Sequence, residues 1–529
     1  MKEQTIKRIT KVFILSVVTI FLSGTFITTN AALQDFTGAN NIFNVRNYGA
    51  KGDGKNLDSP AINEAIEAAV KTGGGTVLVP TGTYLCGSIH LQSNINLHID
   101  AGATILGAPQ SMNAYDETEF FKFGGYQDGG HSYLQNSLIW GESLNNVFIT
   151  GNGIINGGGI ERNDESVLNK MNGHDHWEKP DTTVMPPVRL GNKSVALRLC
   201  KNVLIRDITF VHGGHFAMLL AGCDNMTIDN VTMDTNRDGI DIDCCRNTMV
   251  SNCRINSPGD DGICLKSTYA LGEFRLTENI CITNCQVSGF QEGTLLDGTM
   301  KQRPNASGRI KLGTESSGGF KNITISNCTF RSCRGLALEE VDGGMLENIT
   351  ITNITMTDLY HYAIYLATGK RNRTPGVPKT SRMKNVLISN VIADGVDMMS
   401  GIQIMGLPEQ PIEGVRLENI RLISKGGGTA KDARIIPGEI GSGYPEPYKI
   451  GTLPAYGIFA RHVKNLELAN ITTSFEAEDL RPAAMFSDIQ GLEIDNLKLQ
   501  VANDVKTAIF DAGVTGVTIR NSPAIEKNR

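Results

Sequence analysis

Two short segments stand out for the chemistry their side chains permit. Asn236-Arg237-Asp238-Gly239-Ile240-Asp241 is followed by Gly259-Asp260-Asp261-Gly262-Ile263. Asp238 and Asp260 lie 22 residues apart, so a chain that returns on itself at that interval would gather three carboxylates on one patch. Crowded carboxylates cannot all ionise freely. At least one pKa rises, and an acid and a base then coexist near neutral pH. Hydrolysis of a glycosidic bond needs that combination: a protonated acid at the leaving oxygen and a base activating water on the opposite face of the sugar. Asp-Gly and Asp-Asp-Gly are also ordinary turn sequences, so the chemical reading depends on the elements that carry them. Calcium is the competing chemistry, since Asp238, Asp241, Asp243, Asp260 and Asp261 are all hard oxygen ligands. They do not form a loop shaped for calcium, and neither a metal nor a cofactor is expected.

An internal repeat supplies the required return. The pattern Asn–apolar–x–apolar–x–Asn starts at Asn225, Asn247, Asn279, Asn322, Asn348, Asn385 and Asn465, with a shortest step of 22 residues and longer steps where insertions fall. Each unit reads as a short strand of alternating apolar residues bounded by Asn or Gly turns. One coil cannot bury its apolar face alone; stacked coils close a continuous core and pair their strands in parallel. The fold class expected is all-β, a right-handed parallel β-helix in which buried turn asparagines stack into a ladder. A leucine-rich horseshoe would need regular Leu and helical stretches, which the chain lacks. Helix is expected over Pro60 to Lys71, with Ser59 as cap, Pro60 in the first turn, and Ala61, Ile62, Ala65, Ile66 and Ala69 on one face. Its place is over the open N-terminal end of the solenoid.

At 529 residues the chain is long for one ordinary domain unless the fold grows by repetition. With 40% hydrophobic and 20% charged residues it is globular, which excludes bulk disorder. Lys2, Lys7, Arg8 and Lys11 precede an apolar run from Val12 to Leu22, so residues 1–31 read as a signal peptide and 32–529 as a single β-helix domain, exported to the periplasm or beyond. The apolar run is short for a membrane span. The formal net charge of −6 makes nucleic acid a poor partner, and an acidic substrate would need local Lys or Arg. The 11 cysteines cannot all pair with one another, and Cys253, Cys285 and Cys328 recur at one point of the repeat, as buried free thiols would. Insertions are expected at 108–200 and 426–455, where loops would wall a groove.

Asn236-x-Asp238, Gly259-Asp260-Asp261 and the continuation Ile263-Cys264-Leu265-Lys266-Ser267 resemble the central motifs of the polygalacturonases, glycoside hydrolase family 28. The opening Tyr48-Gly49-Ala50-Lys51-Gly52-Asp53-Gly54, followed by Ala61-Ile62-Asn63-Glu64-Ala65-Ile66, is similar to that family's N-terminal signature. The resemblance runs from about Phe43 to the last coils. It implies inverting hydrolysis of α-linked galacturonic acid in a pectic polysaccharide, exo-acting or rhamnogalacturonan-directed. Asp260 would be the general acid, Asp238 and Asp261 would activate water, and Asn236 would orient them. Two motifs depart. The family's Gly-His-Gly segment stands here as Gly313-Thr314-Glu315-Ser316-Ser317-Gly318-Gly319, and its Arg-x-Lys as Arg334-Gly335-Leu336. Glu315 and Glu339 are expected to meet hydroxyls of a different sugar.

Among weaker candidates, Arg334, Lys266 and Arg237 would hold a uronate carboxylate. His215, one coil before Asp238, would reach a subsite, and His174, His176 and Trp177 would line the groove from the first insertion. The partner expected is the acidic polysaccharide or oligosaccharide, met by a monomer with no membrane span once the leader is removed. A pectate-lyase-type elimination and a non-catalytic glycan-binding β-helix are the alternative functions for this scaffold.

Overall fold

The short strands and Asn-rich turns close into coils of three strands each, stacked in a right-handed parallel solenoid in this computed structural model. The structure describes residues 41–119, 126–161 and 189–526, within a compact unit that starts at Ile42. The leader and His174, His176 and Trp177 lie outside the described residues. Coil follows coil without a change of direction: Phe216–Ala221, Asp224–Asp229 and Thr232–Asp234 pair in parallel with Asp238–Asp243, Arg246–Ser251 and Arg254–Asn256, and these with Ile263–Ser267, Thr277–Thr283 and Gln286–Ser288. The core is a column of inward residues, with Ile240, Ile263 and Ile310 in one file and Ile242, Leu265 and Leu312 in the next, all fully buried. Truncating one such residue to Ala would cost roughly 2–5 kcal/mol.

The turn asparagines form two ladders. Asn225, Asn247, Asn279, Asn322, Asn348 and Asn385 each donate an Nδ2 hydrogen bond to the asparagine of the preceding coil, at 3.1–3.3 Å. A second file links Asn284 to Asn252, passes to Asn327 through the Thr283 hydroxyl, and runs on through Asn353, Asn390, Asn419, Asn470 and Asn496. These residues are exposed, which corrects the expectation of buried asparagines. What selects them is backbone geometry: Asn247 has φ 54 and Asn252 φ 57, and Asn is among the few non-glycine residues that tolerate the left-handed region.

The helix runs Ser59–Lys71 and buries Ile62, Ala65, Ile66 and Ala69 against the first coils, leaving Ala61 half-buried. Its cap position is Asp58, not Ser59. Asp58 instead accepts from the backbone N–H of Lys51 and Gly52, while the Ser59 hydroxyl accepts from Gly87. All 11 cysteines are free, and ten are buried. Cys253, Cys285 and Cys328 lie next to paired positions of successive coils.

The first strand of each coil differs from the other two. Asp224–Asp229 alternates between buried and open positions, as a half-solvated sheet should, whereas Phe216–Ala221, Asp238–Asp243, Ile263–Ser267 and Ile310–Ser316 are buried on both sides. Loops therefore cover the outer side of that one face. Replacing Asn247 by Ala should lower stability by roughly 1–3 kcal/mol, from the left-handed backbone and two lost side-chain hydrogen bonds. Asn247→Gly should recover the backbone part, so its thermal midpoint should fall between Ala and wild type; equal midpoints for Ala and Gly would show that backbone geometry does not select Asn.

Candidate active site

Asp238 opens the strand Asp238–Asp243, and Asp260 and Asp261 occupy the turn before Ile263–Ser267. The register pairs Ile240 with Ile263, a step of 23 rather than 22, so the residue across from Asp238 is Asp261, with Asp260 beside it. Gly239 N–H donates to the Asp261 carbonyl at 3.0 Å and Ile240 N–H to the Gly262 carbonyl at 2.9 Å, which fixes the two segments. The approach is too close for a side chain: a Cβ on Gly239 would lie 2.4 Å from the Gly262 oxygen, and one on Gly259 2.3 Å from the Asn236 oxygen. One oxygen from each of Asp238, Asp260 and Asp261 lies within 4.8 Å of the others. That is closer than the about 6.5–9.5 Å usual for single displacement, so separation alone does not assign the stereochemical outcome.

The three carboxylates have different surroundings. Asp260 is the open one, with a third of its side chain exposed and a 2.9 Å hydrogen bond from Arg237, whose guanidinium is 3.8 Å from Asp238. Asp238 is buried; desolvation and the negative charges of Asp260 and Asp241 push its pKa well above the carboxylate range. Asp261 is buried too, and burial alone would raise it. The charges of Arg309, Lys311 and Lys266 outweigh that cost and hold it well below the usual value. Arg309 Nε donates to Asp261 at 2.7 Å, the Ser307 hydroxyl at 3.0 Å, and Lys311 Nζ lies 3.8 Å away. One carboxyl of the cluster thus keeps its proton while another keeps its charge.

Arg309 and Lys311 escaped the sequence reading. An Arg-x-Lys sequence stands at Arg309-Ile310-Lys311, one coil after the Asp pair and one before Arg334. The insertion at 426–455 adds a buried carboxylate, Glu446, that binds Arg309 by ion pairing, Lys311 at 3.4 Å and Arg334 at 3.3 Å. Burial opposes its charge, but those three cations hold Glu446 at about 2. Tyr444 and Tyr448 of the same insertion meet Thr314 and the Arg334 guanidinium.

The remaining candidates divide. Asn236 accepts from the Gly214 N–H and anchors backbone at the turn. Lys266 is nearly buried and pairs with Glu315 at 2.8 Å. A register shift between Leu265 and Ser267 sets Glu315 beside it, where Arg371 and Arg373 also meet its carboxylate, at 3.5 and 3.3 Å. Burial would raise Glu315, yet those cations hold it well below its ordinary value, so it serves a salt-bridge network. Glu339 is fully buried, 3.2 Å from Lys311. His215 is fully buried, stacked on Phe216 and 3.2 Å from Asp128. Asp241 and Asp243 lie behind the cluster and pair with buried His131 at 3.4 and 3.0 Å; burial disfavours a charged ring, but the two carboxylates raise His131 to about 10. With those two engaged, three carboxylates remain beside Arg237, Arg309 and Lys311.

Fold and cluster together define a right-handed parallel β-helix with three carboxylates grouped across neighbouring coils. A family model described as rhamnogalacturonase A/epimerase, pectate lyase-like, matches residues 42–264. The exo-poly-α-D-galacturonosidase of Dickeya chrysanthemi is 29% identical over 279 residues, 46% of this chain, and the match spans only 45% of that enzyme. A probable polygalacturonase of Vitis vinifera is 24% identical over 395 residues, covering 71% of this chain and 73% of that one. The family 28 exopolygalacturonase of Yersinia enterocolitica superposes with a TM-score of 0.61 at 18% identity, over 86% of this chain and 78% of that one, a likeness of fold. The chain is thus similar to polygalacturonases in sequence and in fold.

Replacing Glu446 by Gln removes the partner of three buried or half-buried cations, a change that typically costs about 3–5 kcal/mol. The thermal midpoint should fall and proteolysis within 426–455 should accelerate; an unchanged midpoint would mean that Glu446 does not hold the insertion down.

Proposed function

We propose that this chain is an exported hydrolase that cleaves α-linked galacturonic acid bonds in pectic polysaccharide by single displacement. The observation that carries the reading is the split ionisation of three adjacent carboxylates, one kept protonated and one kept anionic. Export rests on the basic and apolar opening segment. Asp260, the most exposed of the three carboxyls, protonates the leaving oxygen as the glycosidic C–O bond breaks. Water held between Asp238 and Asp261 adds to the anomeric carbon, and its proton passes to Asp261. Asp238, raised by burial and by its acidic neighbours, holds the cluster's proton in the free protein and hands it to Asp260 as substrate arrives. Arg237 orients Asp260, and Arg309 and Lys311 keep Asp261 charged.

Digestion of homogalacturonan and rhamnogalacturonan oligosaccharides, with products followed by proton NMR, should give a saturated first product of β configuration. Retention of the α configuration would overturn single displacement, and an ultraviolet-absorbing unsaturated product with chelator sensitivity would indicate elimination instead. Asp260→Asn should reduce turnover by roughly 10²–10⁴-fold with oligosaccharide binding preserved. A wild-type protein that binds these sugars and cuts none would be a glycan-binding β-helix.

The charge around Asp261 gives a pH prediction. Its pKa is depressed, so the base stays ionised, and the acidic limb of kcat/KM stays low, because Arg309 is present. Arg309→Gln should raise the Asp261 pKa and move that limb to higher pH, with the alkaline limb less affected. An acidic limb that stays put in a folded Arg309→Gln protein would remove Asp261 from the base role.

A further inference from the structure

Behind the cluster, two carboxylates share one ring. In the strand Asp238–Asp243, Ile240 and Ile242 face the core, so Asp241 and Asp243 face outward, where His131 covers them; all three side chains are fully buried. His131 Nδ1 lies 3.0 Å from Asp243 and Nε2 3.4 Å from Asp241, so each ring nitrogen faces a carboxylate oxygen. A neutral imidazole would turn a lone pair towards one of them; only the doubly protonated ring suits both. Packing fixes the ring. It meets Phe216 edge-on at 5.0 Å, and a Cβ on neighbouring Gly130 would lie 2.6 Å from the rings of His215 and Phe216. The two carboxylates differ. Asp243 also accepts from the Thr268 N–H at 2.9 Å and hydroxyl at 2.6 Å, whereas neither Asp241 oxygen takes a hydrogen bond among the described residues. Stability does not demand this arrangement: the preceding coil fills the same two positions with Leu219 and Ala221, and apolar residues in place of a buried ionic group are often neutral or stabilising.

We propose that His131 is a positioning residue of the cluster: its imidazolium holds Asp241 as a charged carboxylate behind Asp238, and that charge keeps the cluster's proton in place. This deepens the hydrolase reading above and rests on it for the fate of the proton. Burial raises Asp241 and the ion pair with His131 opposes the rise, so without the ring Asp241 would itself take a proton. The groups facing Asp241 are His131 from the first insertion, Lys266, Asp261 and Cys264 from the next coil, and Asp238 and Asp243 on its own strand. Asp238 is raised by burial, Asp260 and Asp241, against Arg237 and Lys266. Glu315 also lies within reach of the His131 charge. Asp241 acts on Asp238 through its own charge, and His131 acts through Asp241.

The test is an NMR titration of protein labelled at its aspartate carboxyls, in which the resonance missing from Asp238→Asn identifies Asp238. In Asp241→Asn the Asp238 titration should move to lower pH by roughly 1–2 units, the worth of one close charge. His131→Gln should move it the same way, because Asp241 without its imidazolium becomes neutral. The protein carrying both changes should shift no further than Asp241→Asn alone, as a residue acting through another requires. The alkaline limb of kcat/KM should follow these shifts. An Asp238 titration that stays put or rises in folded Asp241→Asn, or single shifts that add in the double variant, overturns the proposal. If His131→Gln does not fold, ring-nitrogen NMR reads the histidine in place: one imidazolium should persist above neutral pH in the wild type and lose its proton at lower pH in Asp241→Asn, and the lack of such a ring overturns the proposal equally. The titrations need no turnover. Expected shifts in a protein that cuts no sugar would leave the pair standing and remove the hydrolase reading alone, whereas turnover with an unmoved Asp238 would remove the pair alone.

Discussion

Parallel stacking is the constraint from which the site follows. Hydrogen bonds from Gly239 and Ile240 to the Asp261 and Gly262 carbonyls hold neighbouring coils at strand spacing, and the aspartates at the mouth of those strands cannot move apart without breaking them. Two full negative charges about 4 Å apart near a protein surface repel by roughly 4 kcal/mol. The fold therefore imposes a choice: a carboxyl keeps a proton, or a cation comes beside it. Both happen here. Asp238 is pushed towards its neutral form by burial and its acidic neighbours, while Asp261 is charged under Arg309 and Lys311. Acid–base asymmetry is a consequence of strand spacing combined with an uneven supply of cations.

Much of the scaffold was legible because it repeats. The 22-residue step, the alternating apolar positions and the turn asparagines all report on one coil, and each coil confirms the last. The helix over the N-terminal end was legible from its apolar face, although its cap was misassigned because Asp58 and Ser59 are both engaged by neighbouring backbone, a tertiary demand that local propensity does not contain. The asparagines were placed correctly and explained wrongly. Their exposure shows that left-handed φ, with a side-chain ladder as a second contribution, selects them rather than burial. The register at the cluster was one residue off for a similar reason. Sequence spacing counts residues between like motifs, whereas the ladder counts residues between hydrogen-bonded partners, and the turn at Gly259 absorbs the difference.

The charged surroundings of the cluster were far less legible. Arg309-Ile310-Lys311 is a visible motif, but its neighbours in space come from other coils and an insertion, so nothing local distinguishes it from a solvated basic pair. Glu446 lies 185 residues from Asp261 in sequence and inside a Gly- and Pro-rich stretch with no periodicity to place it. His131 has the same character. Its partners Asp241 and Asp243 belong to the coil, and the loop that brings the ring to them follows no repeat. Glu315 and His215 show the converse error: polar residues at the right coil, read as facing substrate, are buried and engaged within the protein, Glu315 by Lys266 and Arg373 and His215 by Phe216 and Asp128.

Coil and insertion thus divide the labour. The coil determines where carboxylates sit, to within a strand spacing, and it would do so equally for a hydrolase, a lyase or a binding protein. The coil also supplies Arg309, Lys311 and Lys266, which hold Asp261 charged, and the insertion at 426–455 adds Glu446, which engages Arg309, Lys311 and Arg334. Of the cations near the cluster, Arg309 and Lys311 are engaged by Asp261, Glu339 and Glu446, so their charge is spent on setting the ionisation of those carboxylates rather than left open to solvent.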